Sequence, residues 1–260
     1  MRYFIELSYN GRNYFGWQRQ PKGETVQGTL EEALTILLRR PVGTTGAGRT
    51  DTGVHAAYYV AHFDLDEPLS DPQHTAYKLN ALLPNDIAVS NITPVADGAH
   101  ARFDALEREY RYFIELHKNP FTRGCVWQYY RTLDIERMNR AAALLLEYDD
   151  FTTFAKLNSN NRTNICRISQ AEWSLSRQGV LCFRIRADRF LRNMVRAVVG
   201  TLVDVGRGRY DVGEFRSIVG SRDLSRASGG APAEGLYLWD VSYPAALFRR
   251  SEDAARLPLL

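Results

Sequence analysis

The chain opens on an alternation. Across Arg2–Tyr9 the residues Tyr3, Ile5, Leu7 and Tyr9 fall on one face, the period of a strand. A polar, aromatic-bearing loop at 10–23 follows. The period then lengthens. Val26, Leu30, Ala33, Leu34, Leu37 and Leu38 recur at helical spacing, and Pro41 marks the end of that helix. Beyond a Gly/Thr-rich loop at 43–53, the pattern predicts a strand over 54–64, a helix over 71–83 and a strand over Ile87–Val95. The rhythm then starts again. A strand is expected at 109–116, with Tyr110, Tyr112 and Ile114 on one side, and then a helix at 134–146 with Asp134 as its N-cap. A polar loop at 158–164 leads to strands at 165–175 and Val180–Ala187. A long helix at 190–205, a short one at 212–219 and a last strand at 236–243 complete the series, and the chain after Pro244 reads as a tail.

Strands and helices are mixed in both halves, so the class is α+β or α/β with antiparallel hairpins. A break near 99–107 divides the chain into a domain at 1–105, a second at 106–245 and a tail at 246–260, with a cleft between the domains. Composition narrows the function classes. With 260 residues, 45% hydrophobic and 24% charged, the chain is neither disordered nor collagen-like, nor a small disulfide scaffold. Its 33 Lys+Arg against 30 Asp+Glu give +3, too little to name a nucleic-acid partner from the total. The positions of the arginines therefore matter more than their number. Cys125, Cys166 and Cys182 form no C-x-x-C pair, which argues against zinc or a disulfide framework and for a reducing compartment. The N-terminus has no secretory h-region and no apolar run approaches membrane-spanning length, so the expectation is a cytoplasmic protein that avoids membranes.

The densest chemical signal is Gly46-Ala47-Gly48-Arg49-Thr50-Asp51-Thr52-Gly53-Val54-His55. Its glycines fit neither a dinucleotide fingerprint nor a Walker loop, so the loop presents side chains rather than a phosphate cradle. Asp51 has the chemistry of a nucleophile or general base, or of a carboxylate that only bonds nearby amides in a turn. His55, four residues on, suggests a metal ligand. No second ligand lies at suitable spacing, and a hydrogen-bonded structural histidine is the plainer reading. On the helix expected at 190–205, Arg189, Arg192 and Arg196 form a stripe with no acid at i+4, which suits phosphate or carboxylate recognition. Residues 99–103 and 108–112 interleave arginines with aromatics, so rings can stack on bases while arginines meet phosphates. The segment 158–164 is rich in hydrogen-bond donors and free of acids, and 15–20 offers an aromatic and an arginine. Both suit RNA and both suit an exposed turn.

Taken in order, these segments resemble the tRNA pseudouridine synthase A family. The resemblance rests on G-R-T-D-x-G-V-H at 48–55, Tyr14-Phe15-Gly16-Trp17-Gln18, residues 99–103 and Arg108-Glu109-Tyr110-Arg111-Tyr112. It continues through Asp150-Phe151-Thr152, Phe190-Leu191-Arg192-Asn193-Met194-Val195-Arg196 and residues 231–238. It implies an α+β fold of two similar domains, each a mostly antiparallel sheet with helices on one face and an RNA-binding cleft between them. It implies a homodimer that isomerises uridine to pseudouridine in the tRNA anticodon stem-loop, at positions 38, 39 and 40, with no cofactor and no metal. By position, Asp51 matches the catalytic nucleophile and Arg196 the basic residue that pairs with it. Tyr110 matches the tyrosine that stacks on the target uracil, and Arg49 the arginine that takes the place of the flipped-out nucleoside. Ala99, His100, Ala101, Arg102 and Phe103, and Asn160, Asn161, Arg162, Thr163 and Asn164, match two tRNA-contacting segments. Thr52 stands where many relatives carry alanine. The alternative in another class is a non-catalytic tRNA-binding or tRNA-folding protein, in which Asp51 would be replaceable. A weaker alternative is a metal-dependent hydrolase built on Asp51 and His55.

Overall fold

The computed structural model describes residues 1–156 and 162–247. It divides into two units, Met1–Leu106 with Leu238–Leu260, and Glu107–Tyr237. In the first unit the strand β1 (Arg2–Tyr9) is antiparallel both to β3 (His55–Asp64) and to β4 (Ile87–Val95). A two-residue strand, β2 (Thr45–Gly46), adds to β3 opposite His62 and Ala61. Helix α1 (Val26–Leu38) starts where the Thr25 hydroxyl accepts the Gly28 N–H, and ends at Arg39 in the left-handed region. Helix α2 (Pro72–Leu82) is capped by Asp71, with proline at its first position, where no N–H is needed.

The alternation of β1 understates its burial. Tyr3 stacks on Phe63 at 5.5 Å on the face that also carries Ile5 and Leu7. Phe4 on the opposite face is buried as well, in a cluster with Val60, Ala99 and Ala101, and its ring lies 5.4 Å from that of Tyr243. The segment around 99–101 thus covers a face of the sheet that a half-buried strand would leave to water.

In the second unit β5 (Glu107–Glu115) pairs antiparallel with β8 (Val180–Ala187), which pairs antiparallel with β7 (Ile168–Leu175). The short β6 (Trp127–Gln128) runs parallel to the end of β5. Along β8, Leu181, Phe183, Ile185 and Ala187 are buried while Cys182, Arg184 and Arg186 are half-buried. This is the clean period of a one-sided strand. Among the described residues this unit also carries the α-helices α3 (Ile135–Leu144), α4 (Met194–Gly206) and α5 (Val212–Gly220). The closing strand β9 (Leu236–Ser242), grouped by sequence with the second half, belongs to the first unit from Leu238 onward. The architecture is α+β with mostly antiparallel strands. Among the described residues, no helix is long and apolar enough to cross a membrane.

Candidate active site

The loop bearing Asp51 is held from behind. Tyr59 on β3 is fully buried and stacks on Trp17 at 4.1 Å, with Tyr9 of β1 5.6 Å away. The Tyr59 hydroxyl donates to the Gly48 carbonyl. The Tyr9 hydroxyl and Thr50 Oγ1 share a 2.9 Å hydrogen bond, and the Trp17 backbone N–H donates to the Thr50 carbonyl at 3.3 Å. Asp51 O accepts the Val54 N–H at 3.1 Å, closing a turn. The backbone on both sides of Arg49 is therefore fixed, with Arg49 exposed and Asp51 half-buried.

Two glycines make this fit possible. A Cβ on Gly46 would lie 2.0 Å from Tyr59 Oη and 2.6 Å from Trp17 Nε1. Gly16 has a φ of +84°, and a Cβ there would stand 2.3 Å from the Thr50 carbonyl oxygen. Tyr14, Gly16 and Trp17 brace the loop, while Phe15 between them is exposed. Trp17 is buried, and the Tyr14 carbonyl accepts the Gly53 N–H at 3.3 Å. Arg19 pairs with Glu31 at 3.1 Å, and Glu31 also accepts the Thr44 N–H at 2.8 Å. His55 is buried, and its Nδ1 accepts the Gly11 N–H at 3.1 Å, so this nitrogen is committed to the fold. Among the described residues, no group of three or more His, Cys, Asp or Glu is placed to hold a metal.

Residues 99–103 form a turn within the break expected near 99–107. Ala99 and Ala101 are buried, so only His100, Arg102 and Phe103 offer side chains to a ligand. Phe103 is 73% exposed and the Arg102 guanidinium sits 5.7 Å from its ring centroid. Two adjacent exposed groups, one cationic and one aromatic, suit a phosphate and a base.

In the second unit, Tyr110 is half-buried on β5 with its ring edge-to-face on Phe190 at 5.0 Å. Arg196 lies on α4. Its Nε donates to the Ala231 carbonyl at 2.6 Å, and the Ala231 N–H returns a bond to the Arg196 carbonyl at 2.9 Å. The Tyr112 hydroxyl holds the same segment through the Pro232 carbonyl at 2.7 Å. Arg196 is the only residue of α4 that is not buried. The arginine stripe read from the sequence is not present. Asn193 adopts φ +66°, which breaks the helix, so Arg189 and Arg192 precede α4 instead of sharing its face. Arg111 is also reassigned. With Arg184 and Arg186 it surrounds the buried Glu109 at 2.9, 2.9 and 2.6 Å. Burial alone would raise the Glu109 carboxyl, but hydrogen bonds from Arg184, Arg186 and Arg111 override it and hold it down at about 2. Of the second expected tRNA segment, Asn160 and Asn161 lie outside the described residues. Arg162 is exposed, Thr163 accepts the Ile165 N–H at 3.1 Å, and Asn164 binds the Thr152 hydroxyl at 3.1 Å.

A family profile described as tRNA pseudouridine synthase matches residues 7–104 and 141–244. The chain is 52% identical over 247 residues to the tRNA pseudouridine synthase A of Parabacteroides distasonis, covering 95% of this chain and 98% of the relative. It is 53% identical over 251 residues to that of Porphyromonas gingivalis, covering 95% and 99%. That of Bacillus subtilis is 41% identical over 248 residues, covering 94% and 99%. The chain belongs to the tRNA pseudouridine synthase family. The first matched span of this synthase family holds Arg49, Asp51 and the 99–103 turn, and the second holds Arg196 and residues 162–164. Tyr110 falls between the two spans. Sequence reasoning missed Tyr9 and Tyr59, which grip the family loop. Nothing in one dimension distinguishes their hydroxyls from those of other core tyrosines, because the pairing with Gly48 and Thr50 is made across the sheet.

Proposed function

We propose that the chain isomerises uridine to pseudouridine in the tRNA anticodon stem-loop, at positions 38, 39 and 40, with Asp51 as its essential carboxylate. Family membership supports the reaction. The observation that carries the residue assignment is the braced loop, which fixes the backbone around Asp51 while leaving its side chain half-exposed. The reaction must break the N-glycosidic bond, turn the uracil and join its C5 to C1′. An ionised carboxylate serves this by attacking the sugar or by taking a proton to give a glycal-like intermediate. In this reading Arg196 pairs with Asp51, and its anchored guanidinium suits a fixed ion pair. Tyr110, supported by Phe190, stacks on the target uracil and offsets part of the cost of flipping, on the order of 1–3 kcal/mol. Arg49 fills the space left by the flipped nucleoside, while His100, Arg102, Phe103 and Arg162 meet the RNA. The protein works as a homodimer in the cytoplasm and needs no cofactor.

The test is Asp51→Ala. Carbodiimide-adduct primer extension on treated tRNA is expected to show no pseudouridine, while filter binding shows tRNA affinity retained. Full modification by Asp51→Ala would overturn the assignment of Asp51, and tRNA binding without modification by the wild-type chain would favour a protein that only binds tRNA.

A further inference from the structure

The turn at 99–104 is built on two imidazoles that act as acceptors. His62, on β3, receives the Ala101 N–H at Nδ1, 3.1 Å away. His100, within the turn, receives the Arg102 and Phe103 N–H groups at its own Nδ1, at 3.1 and 3.3 Å. The rings meet edge-on at 4.7 Å. Other groups hold the rest of the turn. Arg2 donates to the Ala99 carbonyl at 2.8 Å, the Tyr243 hydroxyl donates to the Ala101 carbonyl, and Asp104 accepts the His100 N–H at 2.7 Å. All three amides that lead into and through Arg102 and Phe103 thus end on imidazole nitrogens.

An Nδ1 that accepts a hydrogen bond carries no proton, so each of these bonds requires a neutral ring. We propose that His62 and His100 are positioning residues for tRNA binding, holding Arg102 and Phe103 in place through these bonds and releasing them when protonated in acid. This rests on the reading that the turn meets RNA. The surroundings favour the neutral state. Arg2, from β1, stands beside both histidines and makes a two-pronged pair with Asp64 at 2.8 Å for each bond. Asp64 on β3 and Asp104 in the turn are the acids nearby, and Arg102 is a further cation beside His100. Burial first, then Arg2 and the partner histidine, push His62 down to about 4, and burial and Arg2 lower His100 as well.

The prediction runs against simple electrostatics. Adding protons to a protein normally strengthens its hold on a polyanion. Here tRNA affinity at constant ionic strength is expected to fall severalfold as pH drops from 7.5 to about 4, where half of His62 is protonated and its hydrogen bond is lost. At pH 7.5, His62→Leu is expected to raise the KM for tRNA about tenfold while kcat stays within about twofold. His62→Asn, whose Oδ1 can take the place of Nδ1 without titrating, is expected to recover much of that loss and to flatten the acid dependence. Wild-type affinity that is unchanged or tighter at pH 4.0 would overturn the proposal, as would His62→Asn with the wild-type pH profile. Amide hydrogen exchange of the 99–104 peptide separates the two levels and does not depend on the His62→Leu variant folding. Protection that falls in acid with unchanged tRNA affinity overturns the RNA-contact reading. Protection that stays constant overturns the histidine mechanism itself. Arg102→Ala with unaltered affinity and salt slope also removes the turn from the RNA footprint.

Discussion

Replacing Tyr59 by phenylalanine isolates one part of the brace. The ring is fully buried and stacked on Trp17 at 4.1 Å, so phenylalanine keeps the packing and loses only the hydroxyl that donates to the Gly48 carbonyl. Loss of one such bond, with its carbonyl left in a half-buried place, costs about 1–2 kcal/mol. Two other anchors remain on the Thr50 side, the Tyr9 hydroxyl and the Trp17 backbone N–H. The loop therefore loosens at Gly48 and Arg49 rather than detaching. If the brace aligns the loop for reaction, about 1.4 kcal/mol of lost alignment is a tenfold drop in turnover. The assay is steady-state release of tritium from tRNA labelled at uridine C5, since that hydrogen leaves when C5 bonds to C1′. The expected result is kcat about tenfold lower, a tRNA KM within about twofold, and a melting temperature lower by roughly 2–4 °C. A melting temperature lowered as expected with kcat unchanged would refute the reasoning, because the bond would then stabilise the fold without aligning the loop. A loss confined to KM would refute it equally, by placing the effect on tRNA binding.

Two further outcomes follow from the geometry. Glu109→Gln is expected to destabilise the protein by about 2–3 kcal/mol in urea unfolding at pH 7, since three partly exposed arginines lose their common acceptor. Because the Glu109 carboxyl lies at about 2 in the fold against an ordinary 4.5, its contribution is complete above pH 4.5 and is lost as pH falls toward 2. A variant whose stability still declines as steeply as wild type over that window would contradict this. Gly16→Ala forces a Cβ to within 2.3 Å of the Thr50 carbonyl at a φ of +84°. It is expected to cost about 2 kcal/mol or more of stability and to lower turnover further than Tyr59→Phe, and thermal unfolding identical to wild type would contradict so close an approach of the two segments.

The elements were largely legible in the sequence, for local reasons. Helix α1 has an apolar stripe, a Thr25 cap and a stop before Pro41. Strand β8 alternates because one of its faces is buried and the other half-open. The Asp51 loop was legible because unusual residue types cluster within ten positions. The reading failed where the deciding contact was distant. The helix expected from 190 starts at Met194, because Asn193 takes the left-handed conformation beside Gly230, where an added Cβ would be 3.3 Å from the Asn193 side chain. Residues 99–103 read only as a break in the pattern, and nothing local shows that Ala99 and Ala101 are drawn into the Phe4–Val60 cluster, leaving the segment as a turn.

Charge shows the same division. By itself the sequence determined which residues carry the chemistry and which segments hold the arginines, since residue type and local period are properties of the chain. Only the tertiary structure decided what each arginine does. Arg111, Arg184 and Arg186 are committed to Glu109, Arg2 to Asp64 and Ala99, and Arg19 to Glu31, while Arg49 and Arg162 stand exposed. A near-neutral total of +3 cannot distinguish these, because a guanidinium paired with a carboxylate and one facing water contribute equally to the sum. Whether an arginine is available to a polyanion depends on partners that the fold brings close from far along the chain, as with Arg2 and Ala99, 97 positions apart.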